Sequence, residues 1–145
     1  MGYTHYWELP EIDRKTWKEI QSGAEAVIAA TNARLNYEFN DPDPPLVGSD
    51  VIRFNGHGSA GHETFFLERD GLRGFNFCKT ARKPYDEAVT AVLCIVGHHL
   101  TKEGTLKDPY YISSDGYFSE DWGEGRELAT KVLGEDLAFA LEEEA

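Results

Sequence analysis

The chain has 145 residues, with 14 Lys or Arg against 26 Asp or Glu, for a formal charge of −12. That length suits one domain able to bury roughly two-thirds of its unfolded surface without metal or disulfide help, and 41% hydrophobic with 12% aromatic content fits an ordinary core. The acidic balance argues against wrapping duplex nucleic acid, which needs a broad basic face, and nothing resembles a membrane span or a signal peptide.

In chain order, Tyr3 to Glu8 is short, aromatic and alternating, and reads as a strand. Leu9-Pro10 and Asp13 mark a turn and a helix start. From about Arg14 to Thr31, apolar residues recur at Trp17, Ile20, Ala24, Val27, Ile28 and Thr31, the spacing of an amphipathic helix. Asn40 to Asp50 carries Pro42, Pro44 and Pro45 among acids and is expected to be a loop. Val51 to Asn55, His62 to Glu68 and Phe75 to Cys78 read as an antiparallel meander, with the glycine-rich Gly56-His57-Gly58-Ser59-Ala60-Gly61 after the first.

Pro84 is expected at the first position of a second helix, apolar on most faces and running to about His99. Tyr110 to Ser113 reads as a strand, Ser114-Asp115-Gly116 as a turn, and Glu120 to Leu133 as a last amphipathic helix capped by Gly134. Glu135 to Ala145 is expected to be an acidic helical tail. The expected fold is therefore α+β: one domain with an antiparallel-rich sheet of about five strands and three helices.

The strongest chemical signal is Phe75-Asn76-Phe77-Cys78-Lys79-Thr80-Ala81-Arg82-Lys83-Pro84-Tyr85-Asp86, an aromatic strand running into a basic loop. Three of the 14 cations, Lys79, Arg82 and Lys83, fall within five residues at a helix start. Helix N-termini favour anions, and a guanidinium fork with lysines suits phosphate. The plain alternative is that these cations balance Asp86, Glu87 and the acidic surface. No Walker loop is present.

Aromatics cluster at strand ends, and nucleobases stack on such rings, although strand aromatics more often build cores. Tyr3, Trp7 and Tyr85 are the candidate stacking walls, with His5 and Asp115 as polar contacts to a sugar. If Tyr6 faces the core, Tyr3, His5 and Trp7 share the opposite face. Asp115 is alternatively a positioner of Arg82, and Ser113 and Ser114 add hydroxyls. His98 and His99 are expected to cap the second helix. Cys94 sits in an apolar run, and Cys78 would have a lowered thiolate pKa if exposed beside Lys79 and Arg82. No metal-ligand spacing appears, and no cofactor is expected.

Met1-Gly2-Tyr3-Thr4-His5-Tyr6-Trp7, together with Phe77 to Asp86 and Ser113-Ser114-Asp115-Gly116, resembles a group of small proteins encoded by phages, prophages and prokaryotes, over most of the chain. The resemblance implies context and carries over no catalytic residues. Small phage-borne proteins of this type often counter host defence, some by sequestering nucleotide-derived immune signals and some by cleaving them.

The leading expectation is binding, in the form of sequestration, of a phosphorylated nucleotide-derived small molecule. Its phosphate would sit at Lys79, Thr80, Arg82 and Lys83, in a homodimer or higher oligomer of the cytoplasm. One rival is a small phosphodiesterase or nucleotide hydrolase, with His5 or His62 as base and Arg82 stabilising charge. Another is an acidic protein-interaction module.

Overall fold

A five-residue strand, β1 (Thr4–Glu8), forms the axis of the first sheet. The computed structural model describes residues 2–39, 41–71 and 74–142. On one edge β1 pairs antiparallel with β6 (Phe75–Lys79), setting Tyr6 opposite Phe77 and Thr4 opposite Lys79. On the other it pairs antiparallel with β7 (Tyr111–Ser114), setting His5 opposite Ser114. The second sheet is built on β4 (Val51–Gly56), which pairs antiparallel with β5 (Phe65–Glu68) and with the two-residue strands β2 (Leu35–Asn36) and β3 (Leu46–Val47).

Helix α1 (Arg14–Ala30) starts at Asp13, whose carboxylate accepts the Thr16 N–H at 2.8 Å. It buries Trp17, Ile20, Ala24 and Val27, the stripe expected from their spacing. Helix α2 (Asp86–Glu103) is buried from Ala88 through His98 and packs against both α1 and α3 (Gly123–Leu133). Gly104 and Gly134 end α2 and α3 in the left-handed conformation, at φ 78° and 72°. One apolar core joins the inner faces of both sheets to the three helices.

The α+β class holds, with seven strands in two sheets among the described residues instead of about five in one. The expected meander is corrected: β6 leaves β4 and β5 and pairs with β1. The strand expected from His62 begins at Phe65, because the Asn55 side chain holds His62 through both its N–H and its carbonyl. Two residues of the Pro-rich loop, Leu46 and Val47, form β3, while Asn40 lies outside the described residues.

Pro84 sits in a turn ahead of α2, whose cap is Tyr85. His98 and His99 lie inside α2, which runs on to Glu103; there the His98 Nδ1 accepts the Ala138 N–H at 2.9 Å. The expected helical tail is also corrected. From 135 to 142 it is irregular, and Phe139 and Leu141 bury themselves with the two-residue period of extended chain. Residues 143–145 of that expected helix lie outside the described residues. Phe139 meets α2 where Gly97 leaves room: a Cβ there would stand 2.4 Å from the ring.

Candidate functional site

The alternation of β1 turns Tyr3, His5 and Trp7 inward and Tyr6 outward. His5 is fully buried, and both ring nitrogens are engaged. Its Nε2 lies 2.7 Å from Asp86 Oδ1 and its Nδ1 lies 2.8 Å from Ser114 Oγ. The same Asp86 oxygen accepts the Thr80 hydroxyl at 2.6 Å. Ser114 Oγ accepts the Trp122 indole N–H at 3.1 Å and the Gly116 N–H at 2.9 Å.

Those partners fix the proton positions. A hydroxyl oxygen has two lone pairs, and here both are taken, so the Ser114 hydroxyl must donate its proton to His5 Nδ1. His5 is then the tautomer that carries its proton on Nε2 and gives it to Asp86. Hydroxyl, imidazole and carboxylate stand in the proton order of a catalytic triad. The nucleophilic lone pair is missing. Ser114 could attack nothing without first breaking a bond to Trp122 or Gly116, so the cluster joins β1, β7, α2 and the segment before α3 as a saturated polar knot.

The loop between β6 and α2 has a different character. Ala81 and Arg82 both have positive φ, 52° and 57°, and the Lys83 N–H closes the turn on the Thr80 carbonyl at 3.0 Å. This is the left-handed tight turn that usually takes Gly or Asn, at a cost of about 1–2 kcal/mol per residue. The Thr80 and Ala81 N–H groups, both bonded to the Tyr3 carbonyl, hold it in place.

The turn throws Arg82 over the Tyr3 ring, 3.9 Å from its centroid, where Nη1 donates to Asp121 at 2.7 Å. The Arg82 side chain is still 60% exposed. The Asp121 hydrogen bond holds the guanidinium pKa above its usual value. The Tyr117 N–H, and then Arg82, hold the Asp121 carboxyl below its own. Burial, and then the nearby Asp86 and Asp121, push the Tyr3 hydroxyl up to about 12. Among the described residues that buried hydroxyl has no well-formed hydrogen-bond partner, and its interaction with Ser114 opposes the rise only weakly.

Gly2, Tyr3, Ala81, Arg82 and Asp115 line an open depression of about 670 Å³. The Lys79 side chain lies across Gly2, its Nζ 3.2 Å from where a Cβ on that glycine would stand. Two cations thus flank one depression. Asp115 is exposed and accepts the Thr4 N–H and the Tyr6 hydroxyl, each at 3.0 Å. A carboxylate has about four acceptor positions, so capacity remains.

Of the residues expected at the site, Tyr3, Lys79, Arg82 and Asp115 therefore come together, with His5 directly beneath Tyr3 at 5.0 Å between ring centroids. Thr80 does not join them: it is buried and its hydroxyl is turned to Asp86. Lys83 lines a second cleft of about 270 Å³, which Arg82 also borders, with Asp86, Glu87, Glu120, Asp121 and Glu124; five carboxylates against two cations make it no place for a phosphate. The α2 N-terminus opens on that acidic side, so it does not serve as the anion cradle.

Trp7 and Tyr85 have no free ring face. Trp7 packs on Phe65 at 5.3 Å, and the Tyr85 hydroxyl donates to the Glu63 carbonyl at 2.5 Å. Asp121, not Asp115, positions Arg82. Cys78 is buried, and burial raises its thiol to about 12, the reverse of activation. Sequence reasoning missed Asp121 and the partnership of Ser114 with His5. The only available signal was that a histidine facing inward from a central strand must find partners for two nitrogens.

Among the described residues no group of three or more His, Cys, Asp or Glu is arranged to hold a metal ion, and no helix is long and apolar enough to cross a membrane. Comparison with models of known protein families, with curated proteins and with solved structures finds no match.

Proposed function

We propose that this chain binds a phosphorylated, nucleotide-derived small molecule in the depression between Tyr3 and Asp115, with its phosphate on Arg82 and Lys79. One observation carries the proposal: Arg82 is held over Tyr3 in a strained turn, yet remains 60% exposed, with one hydrogen bond among the described residues, to Asp121, from five donors. Strain kept at an exposed cation is characteristic of ligand clamps. Lys79 supplies a second, mobile charge, and Asp115 is placed to accept a sugar hydroxyl.

Binding without turnover is the form this site favours. A hydrolase would need a general base, and the one histidine nearby is sealed and doubly bonded. Sequestration also fits the resemblance to phage-borne proteins that counter host defence.

Isothermal titration and melting shifts against a panel of nucleotides and cyclic nucleotides test the proposal. Arg82→Ala should abolish whatever stabilisation the best ligand gives, and ligand recovered after denaturation should be chemically intact. No shift with any phosphate ligand sinks the proposal, and altered ligand converts it to an enzyme.

A further inference from the structure

The outward face of the first sheet carries a feature that the proposed phosphate site does not use. Phe75 and Phe77 are 52% and 54% exposed, and their centroids are 6.0 Å apart along β6. Tyr6, opposite Phe77 in register, stacks on Phe75 at 6.1 Å with planes 22° apart. Tyr111 on β7 is a further exposed ring. Apolar rings left open on a sheet face cost solvation and ask for an occupant.

Two links join this strip to the cationic depression. Lys79 stands two residues beyond Phe77 on the same strand, so strand alternation puts it on the same face, about 7 Å along. The Tyr6 hydroxyl donates to Asp115, which lines the depression. Cations at one end and successive open rings along the same strand match a backbone of phosphates with bases splayed to one side.

We infer that Phe77 and Phe75, with Tyr6 beside them on β1, form a stacking platform for two consecutive bases, so that the ligand is a short single-stranded oligonucleotide with its end phosphate on Lys79 and Arg82. The inference rests on the phosphate site proposed above. The first base lies on Phe77 beside Lys79 and the second on Phe75. An open cleft of about 640 Å³ along β6, lined by Thr64, Phe66 and Asn76 as well as both rings, leaves room for the base edges. Glu8 and Glu63 border the strip. With a net charge of −12 on the whole chain, these acids confine binding to a few nucleotides and exclude a long polyanion.

The test measures affinity for thymidine monophosphate and for a short oligothymidylate, with wild type and the Arg82→Ala, Phe77→Ala and Phe75→Ala variants. Phe75→Leu serves if Phe75→Ala does not fold, since it keeps apolar bulk and removes the ring. The oligonucleotide should bind at least about tenfold tighter than the mononucleotide. Arg82→Ala should weaken both, and Phe77→Ala should weaken both about tenfold. Phe75→Ala or Phe75→Leu should weaken only the oligonucleotide, again about tenfold.

Mononucleotide binding that depends on Arg82, with no gain for the oligonucleotide or no effect of Phe75, overturns the platform and leaves the phosphate site standing. Binding of neither ligand removes both. A wild-type dimer in sedimentation that Phe75→Ala dissolves, with oligonucleotide affinity unchanged, gives the face to a second copy of the chain and overturns the inference.

Discussion

The two faces of β1 hold similar residue types in opposite states. Inward, His5 meets Asp86 and Ser114, and both His5 ring nitrogens and the Ser114 hydroxyl are fully engaged. Outward, Tyr6 lies among the exposed rings of Phe75 and Phe77, and Asp115 at the strand's end keeps spare acceptor capacity. Bonding capacity already used holds a fold together, whereas capacity left open is available to a ligand. The triad-like order at Ser114, His5 and Asp86 belongs to the first kind, although its residue types alone would suggest the second.

The largest effect should come from breaking the inner face. His5→Ala opens a hole in the buried centre of the sheet, strips the Ser114 hydroxyl of its acceptor and leaves the half-buried Asp86 carboxylate with Thr80, which should cost about 3 kcal/mol in urea unfolding. A loss below about 1 kcal/mol would show that water replaces the imidazole and that the knot is not sealed. Arg82→Ala reverses the pattern. An exposed ion pair contributes about 0–1 kcal/mol to stability, but a charge-assisted bond to phosphate contributes about 1.5–3 kcal/mol. Titration should therefore show a roughly tenfold or greater loss of affinity, with the unfolding midpoint barely moved.

Ala81→Gly should act in the opposite direction, since the turn at φ 52° suits glycine. Relief of the left-handed penalty, less the backbone entropy of glycine, should stabilise by about 0.5–1 kcal/mol. The same change should loosen Arg82 and weaken ligand binding. A variant that is more stable and binds as well as wild type would mean that the strain serves no clamp.

These outcomes also mark what the sequence could convey. Alternation along Tyr3 to Trp7 and the apolar spacing of α1 and α2 were legible because they depend on local period. The assignment of β6 to β1 instead of β5 was not, because strand partners are chosen by long-range packing. The basic loop was legible as a cluster, but not its division: Lys79 goes to one depression, Lys83 to an acidic cleft, and Arg82 borders both. A left-handed turn at Ala81 and Arg82 causes that division, and neither residue announces such a turn. Trp7 and Tyr85 were read as stacking walls because residue type does not reveal burial. The rings that lie open, Phe75 and Phe77, stood at the head of the strongest chemical signal, yet they were not among the candidate stacking walls.

The smallest predicted effect concerns the anchor of Arg82. The Tyr117 N–H and the Arg82 guanidinium hold the Asp121 carboxyl below its ordinary value of 3.8. A group depressed in the folded state contributes stability above its unfolded value and loses it as pH falls through the folded one. Wild type should therefore exceed Asp121→Asn by less than about 1 kcal/mol near neutrality, and the difference should shrink steadily as pH drops below about 4. Asp13, Asp50 and Glu135 are also depressed, but they are common to both proteins and cancel in the difference. A gap that stays constant down to about pH 2 would assign Asp121 a role independent of its charge. Arg82 would then be held by the Tyr3 ring and the turn alone, and the cationic depression would owe its order to backbone geometry, with electrostatics playing no part.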